Sequence, residues 1–154
     1  ARIPFMFDPG QGLPMFDGPE LLAMIDAATY LAVNDYEGRM LVEKTGRSVE
    51  ELARMVDALI VTKGASGSTI YAAGQRHDIP SVAPEEVVDP TGCGDAYRAG
   101  LLYGIAAGLD WAATGRLASL MGALKVASRG GQNHRTTRAE IDGLYRRNFG
   151  TSIL

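Results

Sequence analysis

Hydrophobic positions along the chain alternate between two rhythms. Short unbroken apolar runs stand at IPFMF (3–7), YLAV (30–33) and ALIVT (58–62), and runs of that length predict buried strands. Between them apolar residues recur at helical spacing. PELLAMIDAA (19–28) predicts a helix, with Asp17 or Gly18 near its cap and Pro19 in its first turn. Residues 35–45 and 48–57 predict two more helices parted by Gly46, with Ser48 and Glu51 at capping-box spacing. After the turn KGASG, STIYAA (68–73) and a shorter run near 76–80 predict a pair of antiparallel strands at a sheet edge.

The second half reads as helical. The segment after Asp95 is apolar nearly all round (Ala96, Tyr97, Ala99, Leu101, Leu102, Tyr103, Ile105, Ala106), which predicts a helix buried on most faces, stopped near Gly108. Residues 111–128 predict another, with Leu117, Leu120 or Met121, and Leu124 along one stripe. SRGGQNH (128–134) is a loop, and 137–148 predicts a last, polar helix. Strands alternating with helices predict an α/β fold, its sheet mostly parallel and covered on both sides. No linker divides the chain and no repeat recurs.

Composition narrows the function classes. With 154 residues, 46% of them hydrophobic, the chain is long enough to bury one sizeable core. Its apolar runs break well before the roughly 18 residues that span a bilayer, and no leader pattern opens it, so a soluble, cytoplasmic protein is expected. The single cysteine, Cys93, excludes an internal disulfide and a cysteine-based zinc cluster, and reads as a small loop residue rather than a reactive thiol. Residues 1–97 carry 7 Lys/Arg against 15 Asp/Glu, and 98–154 carry 8 against 3. The basic end lacks the aromatic interleaving and motifs of a nucleic-acid binder; it fits a solvated face or a mild field for a small anion.

Chemistry concentrates in VVDPTGCGDAYRAG (87–100). Gly92, Cys93 and Gly94 can turn consecutive N–H groups toward one point, at the start of a helix whose dipole favours an anion. Asp95 then stands where it can accept a proton beside that anion. The loop is neither a Walker A sequence nor a dinucleotide fingerprint, since Tyr97 occupies the third glycine's place. On spacing alone, Asp95 reads as readily as a helix cap, Asn34 with Glu37 as a capping box, and Thr62 to Gly67 as a plain turn.

The stretch nevertheless resembles the C-terminal signature of the ribokinase-like (PfkB-type) carbohydrate kinases, D-T-x-G-A-G-D-x-F-x-x-G. Asp89, Thr91, Gly92, Gly94, Asp95 and Gly100 fall in register, with Tyr97 for Phe, Pro90 for Thr and Cys93 for Ala. NDYE (34–37) resembles the family's N-x-x-E, TKGASGS (62–68) its T-x-G-x-x-G loop, and GGQNH (130–134) its late glycine loop. The resemblance implies a three-layer α/β/α sandwich. It covers only the C-terminal, ATP-binding half of one kinase domain, so residues 1–154 are expected to be part of a longer protein whose absent half holds the substrate site and a small lid.

It also implies roles. Asp95 would be the general base, and the amides of Gly92, Cys93 and Gly94 the anion hole over the transferring phosphoryl group. Asn34 and Glu37 would hold Mg²⁺ through water, together with the ATP phosphates. Thr62, Gly64 and Gly67 would line the phosphates and ribose, and Ser119 would touch the base. Asp89 and Thr91, with backbone oxygens near Lys125, Ser128, Gly130 and His134, match a potassium site. There Lys125 leaves two readings open: its carbonyl serves an ion, or its ammonium replaces one. The implied reaction is ATP-dependent phosphorylation of a primary hydroxyl on a nucleoside, adenosine-like, with a sugar such as ribose as alternative. The further alternative is a non-catalytic nucleotide-binding module. No nucleic acid or membrane partner is expected, and a homodimer would form through the lid.

Overall fold

The computed structural model describes residues 3–153, which divide into two compact units, 3–64 with 68–78 and 65–67 with 79–153. The first is built on a five-stranded sheet in the order β1 (Met6–Phe7), β2 (Tyr30–Asn34), β3 (Ala58–Thr62), β4 (Ser68–Ala72), β5 (Gln75–Ile79). β1, β2 and β3 are parallel, with Met6 opposite Tyr30 and Leu31 opposite Leu59; β4 returns antiparallel, with Ile70 opposite Ile60. This is the α/β class with the antiparallel edge expected. Leu31, Ala32 and Val33, like Ala58, Leu59 and Ile60, are buried without alternation, as strands covered on both faces must be.

The first unit's helices start where their caps dictate. α1 (Gly18–Ala27), α2 (Asp35–Thr45) and α3 (Val49–Ala53) open with reciprocal capping boxes, Asp17 with Glu20, Asn34 with Glu37 and Ser48 with Glu51. Their apolar sides close a core of Leu13, Leu21, Ile25, Leu31, Val33, Leu41, Leu52 and Leu59. Two elements are shorter than their apolar patterns suggest. β1 takes only the last two residues of 3–7, because Pro4 has no N–H to give a ladder and Ile3 is exposed. α3 stops at Ala53, not 57, because Asp57 N–H already bonds to the Thr29 carbonyl at 2.8 Å and commits the chain to β3.

The second unit is helical: α4 (Cys93–Ala106), α5 (Trp111–Val126) and α6 (Arg138–Phe149). α4 and α5 cross closely. A Cβ on Gly100 would lie 2.6 Å from the Ala118 Cα, and one on Gly104 2.7 Å from the Thr114 hydroxyl oxygen. Only glycine permits that approach. α6, expected to be polar, has an apolar side after all: Tyr145, with Ile141, Leu144 and Phe149, packs around Leu117 and Leu120 of α5. α4 corrects a second expectation. It buries one stripe, Ala96, Tyr97, Gly100, Leu101 and Gly104, whereas Leu102 and Tyr103 are 50% and 38% exposed. An apolar composition says what a face could bury; only a neighbouring element, here α5, buries it. Among the described residues no helix is long and apolar enough to cross a membrane.

Candidate active site

The loop into α4 is shaped by a turn. Cys93 N–H donates to the Pro90 carbonyl at 3.1 Å, closing residues 90–93. Gly92 has φ 79° and ψ 6°, the third-position values of a type II turn, where a side chain is disfavoured. A Cβ at Gly92 would also lie 2.9 Å from the Gly131 carbonyl oxygen, so the late glycine loop presses directly on this turn.

α4 then begins without a side-chain cap. Its first helical hydrogen bond runs from Ala96 N–H to the Gly92 carbonyl at 3.0 Å. The N–H groups of Gly92, Gly94 and Asp95 take no partner among the described residues. Unsatisfied amides at a helix start, with the dipole behind them, suit an anion. The sequence expectation needs one change here. Cys93 N–H is held inside the turn and is not available, while the Asp95 amide, which the glycine pattern did not single out, is. Burial raises the Cys93 thiol above its ordinary pKa, and the residue acts as loop packing.

Asp95 is exposed in the first turn of α4. Its carboxylate accepts no hydrogen bond among the described residues, so the capping reading does not hold for it. Arg98, one turn on, brings Nη1 to 2.7 Å from where a Gly94 side chain would begin. A guanidinium beside free amides strengthens a phosphate site, and nothing in the glycine pattern pointed to it.

Asp89 organises the loop from below. Its Oδ1 accepts the Thr91 N–H at 2.9 Å and its Oδ2 the Gly130 N–H at 2.7 Å. Those two backbone bonds, ahead of the charge on Lys125, hold its pKa down at about 2. The Lys125 Nζ donates to the Asp89 carbonyl at 3.1 Å and the Ser128 carbonyl at 2.9 Å. Asp89, Thr91, Lys125, Ser128 and Gly130 are therefore brought together. Ser119 is otherwise engaged. Its hydroxyl donates to the Pro80 carbonyl at 2.9 Å and accepts the Val82 N–H at 3.1 Å, tying 80–82 to α5. In the same unit a cavity of about 530 Å³ is lined by Leu120, Leu124, Arg135, Glu140, Leu144 and Arg147 among others, and by none of the sequence-predicted site residues.

The remaining candidates lie on the sheet unit, apart from Gly67. Asn34 and Glu37 form a complete box: Asn34 Oδ1 accepts Glu37 N–H at 2.7 Å, and Glu37 Oε2 accepts Asn34 N–H at 2.8 Å. The box leaves Glu37 Oε1 without a partner among the described residues and uses one of the two lone pairs of Asn34 Oδ1, which is compatible with holding a hydrated cation. Among the described residues no three His, Cys, Asp or Glu side chains converge as a metal cluster. Thr62 ends β3, its hydroxyl 3.5 Å from the Val33 carbonyl. Gly64 and Gly67 take φ of 55° and 83° in the turn to β4, and a Cβ on Gly67 would collide with the Ile79 carbonyl.

Residues 5–138 match the pfkB family carbohydrate kinase profile. The chain is 36% identical over 131 residues to a nucleoside kinase of Methanocaldococcus jannaschii, covering 85% of this chain and 43% of that one. To a ribokinase of Bacillus subtilis it is 34% identical over 142 residues, covering 92% and 46%. Among solved structures, a nucleoside kinase of Burkholderia thailandensis in complex with inosine superposes with a TM-score of 0.95 at 57% identity, over 97% of this chain and 49% of that one. The chain thus spans less than half the length of these curated relatives. The profile runs unbroken from β1 through the glycine loop and into α6, which is why the motifs occur in the family's order: the chain belongs to the pfkB family of carbohydrate kinases.

Proposed function

We propose that this chain is the ATP-handling half of a kinase domain that transfers the γ-phosphoryl group of ATP to a hydroxyl of a nucleoside. The observation that carries the reading is the first turn of α4: an exposed, unbonded Asp95 carboxylate beside the unpartnered amides of Gly92 and Gly94. Relatives named nucleoside kinases support the nucleoside as acceptor, and a solved relative that binds inosine supports a purine. A 5′-hydroxyl of an adenosine-like nucleoside is the preferred acceptor.

The transition state for phosphoryl transfer is loose, so the protein mainly positions groups and neutralises charge. The amides of Gly92, Gly94 and Asp95, with Arg98, hold the oxygens of the moving phosphoryl group. As the acceptor oxygen bonds to phosphorus, the bond to the ADP oxygen breaks, and the acceptor's proton passes to the Asp95 carboxylate. A carboxylate is a weak base toward an alcohol, but it suffices once the oxygen has begun to bond. Glu37 would hold Mg²⁺ through water, and the ion would supply charge neutralisation to the ATP phosphates. The family resemblance assigns Thr62, Gly64 and Gly67 to nucleotide binding as well. The acceptor site and lid belong to the other half of the domain, dimerisation runs through that lid, and the enzyme works in the cytoplasm.

The test is ATP turnover by the complete polypeptide against inosine, adenosine and ribose. Phosphorylation of a nucleoside, lost in Asp95→Asn with ATP binding retained, is expected. Turnover on ribose alone would move the reading to the sugar-kinase alternative, and no turnover with any acceptor would end it.

A further inference from the structure

We propose that the Lys125 ammonium stands in for the monovalent cation that the surrounding oxygens would otherwise bind, so that the anion-binding turn is held without potassium. The consequence for turnover rests on the kinase reading above; the claim about the ion does not.

Lys125 sits in the last turn of α5 and is 0% exposed. Lysine is almost never fully buried unless its charge is met. Here the charge is met by main-chain carbonyls, Ser128 at 2.9 Å and Asp89 at 3.1 Å. Carbonyl oxygens turned on one point are what a dehydrated potassium ion requires, but that point is already occupied by a cation covalently tied to the protein. A potassium ion bound to the same oxygens would meet the ammonium across a few ångströms of buried space, where like charges repel strongly. The Lys125 carbonyl, the other candidate ligand, accepts the Ser128 N–H at 3.0 Å. The residues present therefore do not fit the ion.

What the ammonium holds is specific. Its two acceptors belong to the segment before α4 and the segment after α5. Asp89 links the same two segments from its other end, through the Thr91 and Gly130 amides. Gly131 in turn lies against Gly92. Lys125 is thus a positioning residue, two contacts away from the amides that face the phosphoryl group.

The experiment compares thermal melting of the protein in potassium chloride and in tetramethylammonium chloride at equal concentration, with thallium(I) binding followed by NMR as a direct probe of a potassium-like site. The wild type is expected to melt within about 1 °C in the two salts and to bind no thallium, since a bound ion at many times its Kd would raise melting by several degrees. A potassium-specific rise, or stoichiometric thallium binding, overturns the proposal. Lys125→Ala empties the cage, and is expected to melt lower in tetramethylammonium and to regain stability in potassium. Wild-type melting of that variant in both salts would also overturn it, because the ammonium would then hold nothing. In the complete kinase, the kcat of Lys125→Ala should rise with potassium while wild-type kcat ignores it; a wild-type kcat that demands potassium sinks the inference. A polypeptide with no turnover in either salt argues against the kinase reading, and the melting and thallium arms still decide this one.

Discussion

Two helix starts in this molecule use the same spacing to opposite ends. α2 begins at Asn34 with an acid three residues later, and α4 begins at Gly92 with an acid three residues later. At α2 each partner satisfies the other's amide, with both bonds under 3 Å. At α4 the cap has no side chain, so the amides and the acid are left facing outward. The difference is one missing side chain. A helix start that caps itself has few unmet donors to offer; one that declines to do so leaves amides that suit an anion.

The largest effect should come from removing the acid at the uncapped start. Asp95→Asn in the complete kinase is expected to lower kcat by about 10²–10⁴-fold, the usual range for a positioned general base, while the melting temperature stays put. Steady-state kinetics beside a thermal melt checks both halves, and a variant that loses stability instead would make α4 an ordinary capped helix.

Next comes the cap residue. Gly92→Ala must accept a left-handed backbone and a Cβ 2.9 Å from the Gly131 carbonyl oxygen, and should destabilise by about 1–3 kcal/mol. Denaturant unfolding measures it. The opposite pattern belongs to α2, where Asn34→Ala should cost about 1 kcal/mol of stability through the lost cap. If Asn34→Ala instead leaves stability unchanged, the box is not holding the helix.

The smallest effect sharpens the comparison by pH. Asp89, which supports the uncapped start, has its pKa depressed to about 2. A depressed acid adds stability that is complete above its unfolded pKa, near 4, and is lost as pH falls through its folded value. Melting followed from about pH 5 to about pH 2 should therefore show a loss that Asp89→Asn removes; Asn34→Ala should leave that acid limb intact.

Legibility in the sequence followed the range of the interaction. Boxes spaced three residues apart, Asn34 with Glu37 or Ser48 with Glu51, could be read directly and set helix starts correctly, because both partners lie close together in the sequence. The apolar runs of β2 and β3 were equally plain. Ends were harder: α3 stops because Asp57 bonds to Thr29, a partner 28 positions away that no local pattern reveals. The glycine loop suggested an anion site but not which amides are left without partners, since the turn that takes Cys93 N–H out of use depends on backbone angles. Lys125 was legible only as the two readings the resemblance left open, a carbonyl ligand or an ammonium in place of an ion. A lysine near the end of a helix ordinarily reaches water, and only the folding of two distant loops around its tip buries it.

The close crossing at Gly100 and Gly104 carries a last consequence. Because the backbones of α4 and α5 touch there, neither helix can tilt or slide without forcing the other to follow. The carboxylate at the head of α4 is accordingly aimed from behind, by a fulcrum more than a turn away. Gly100→Ala, whose one added methyl would meet the Ala118 Cα at 2.6 Å, would lever that head aside without altering any group at the candidate site.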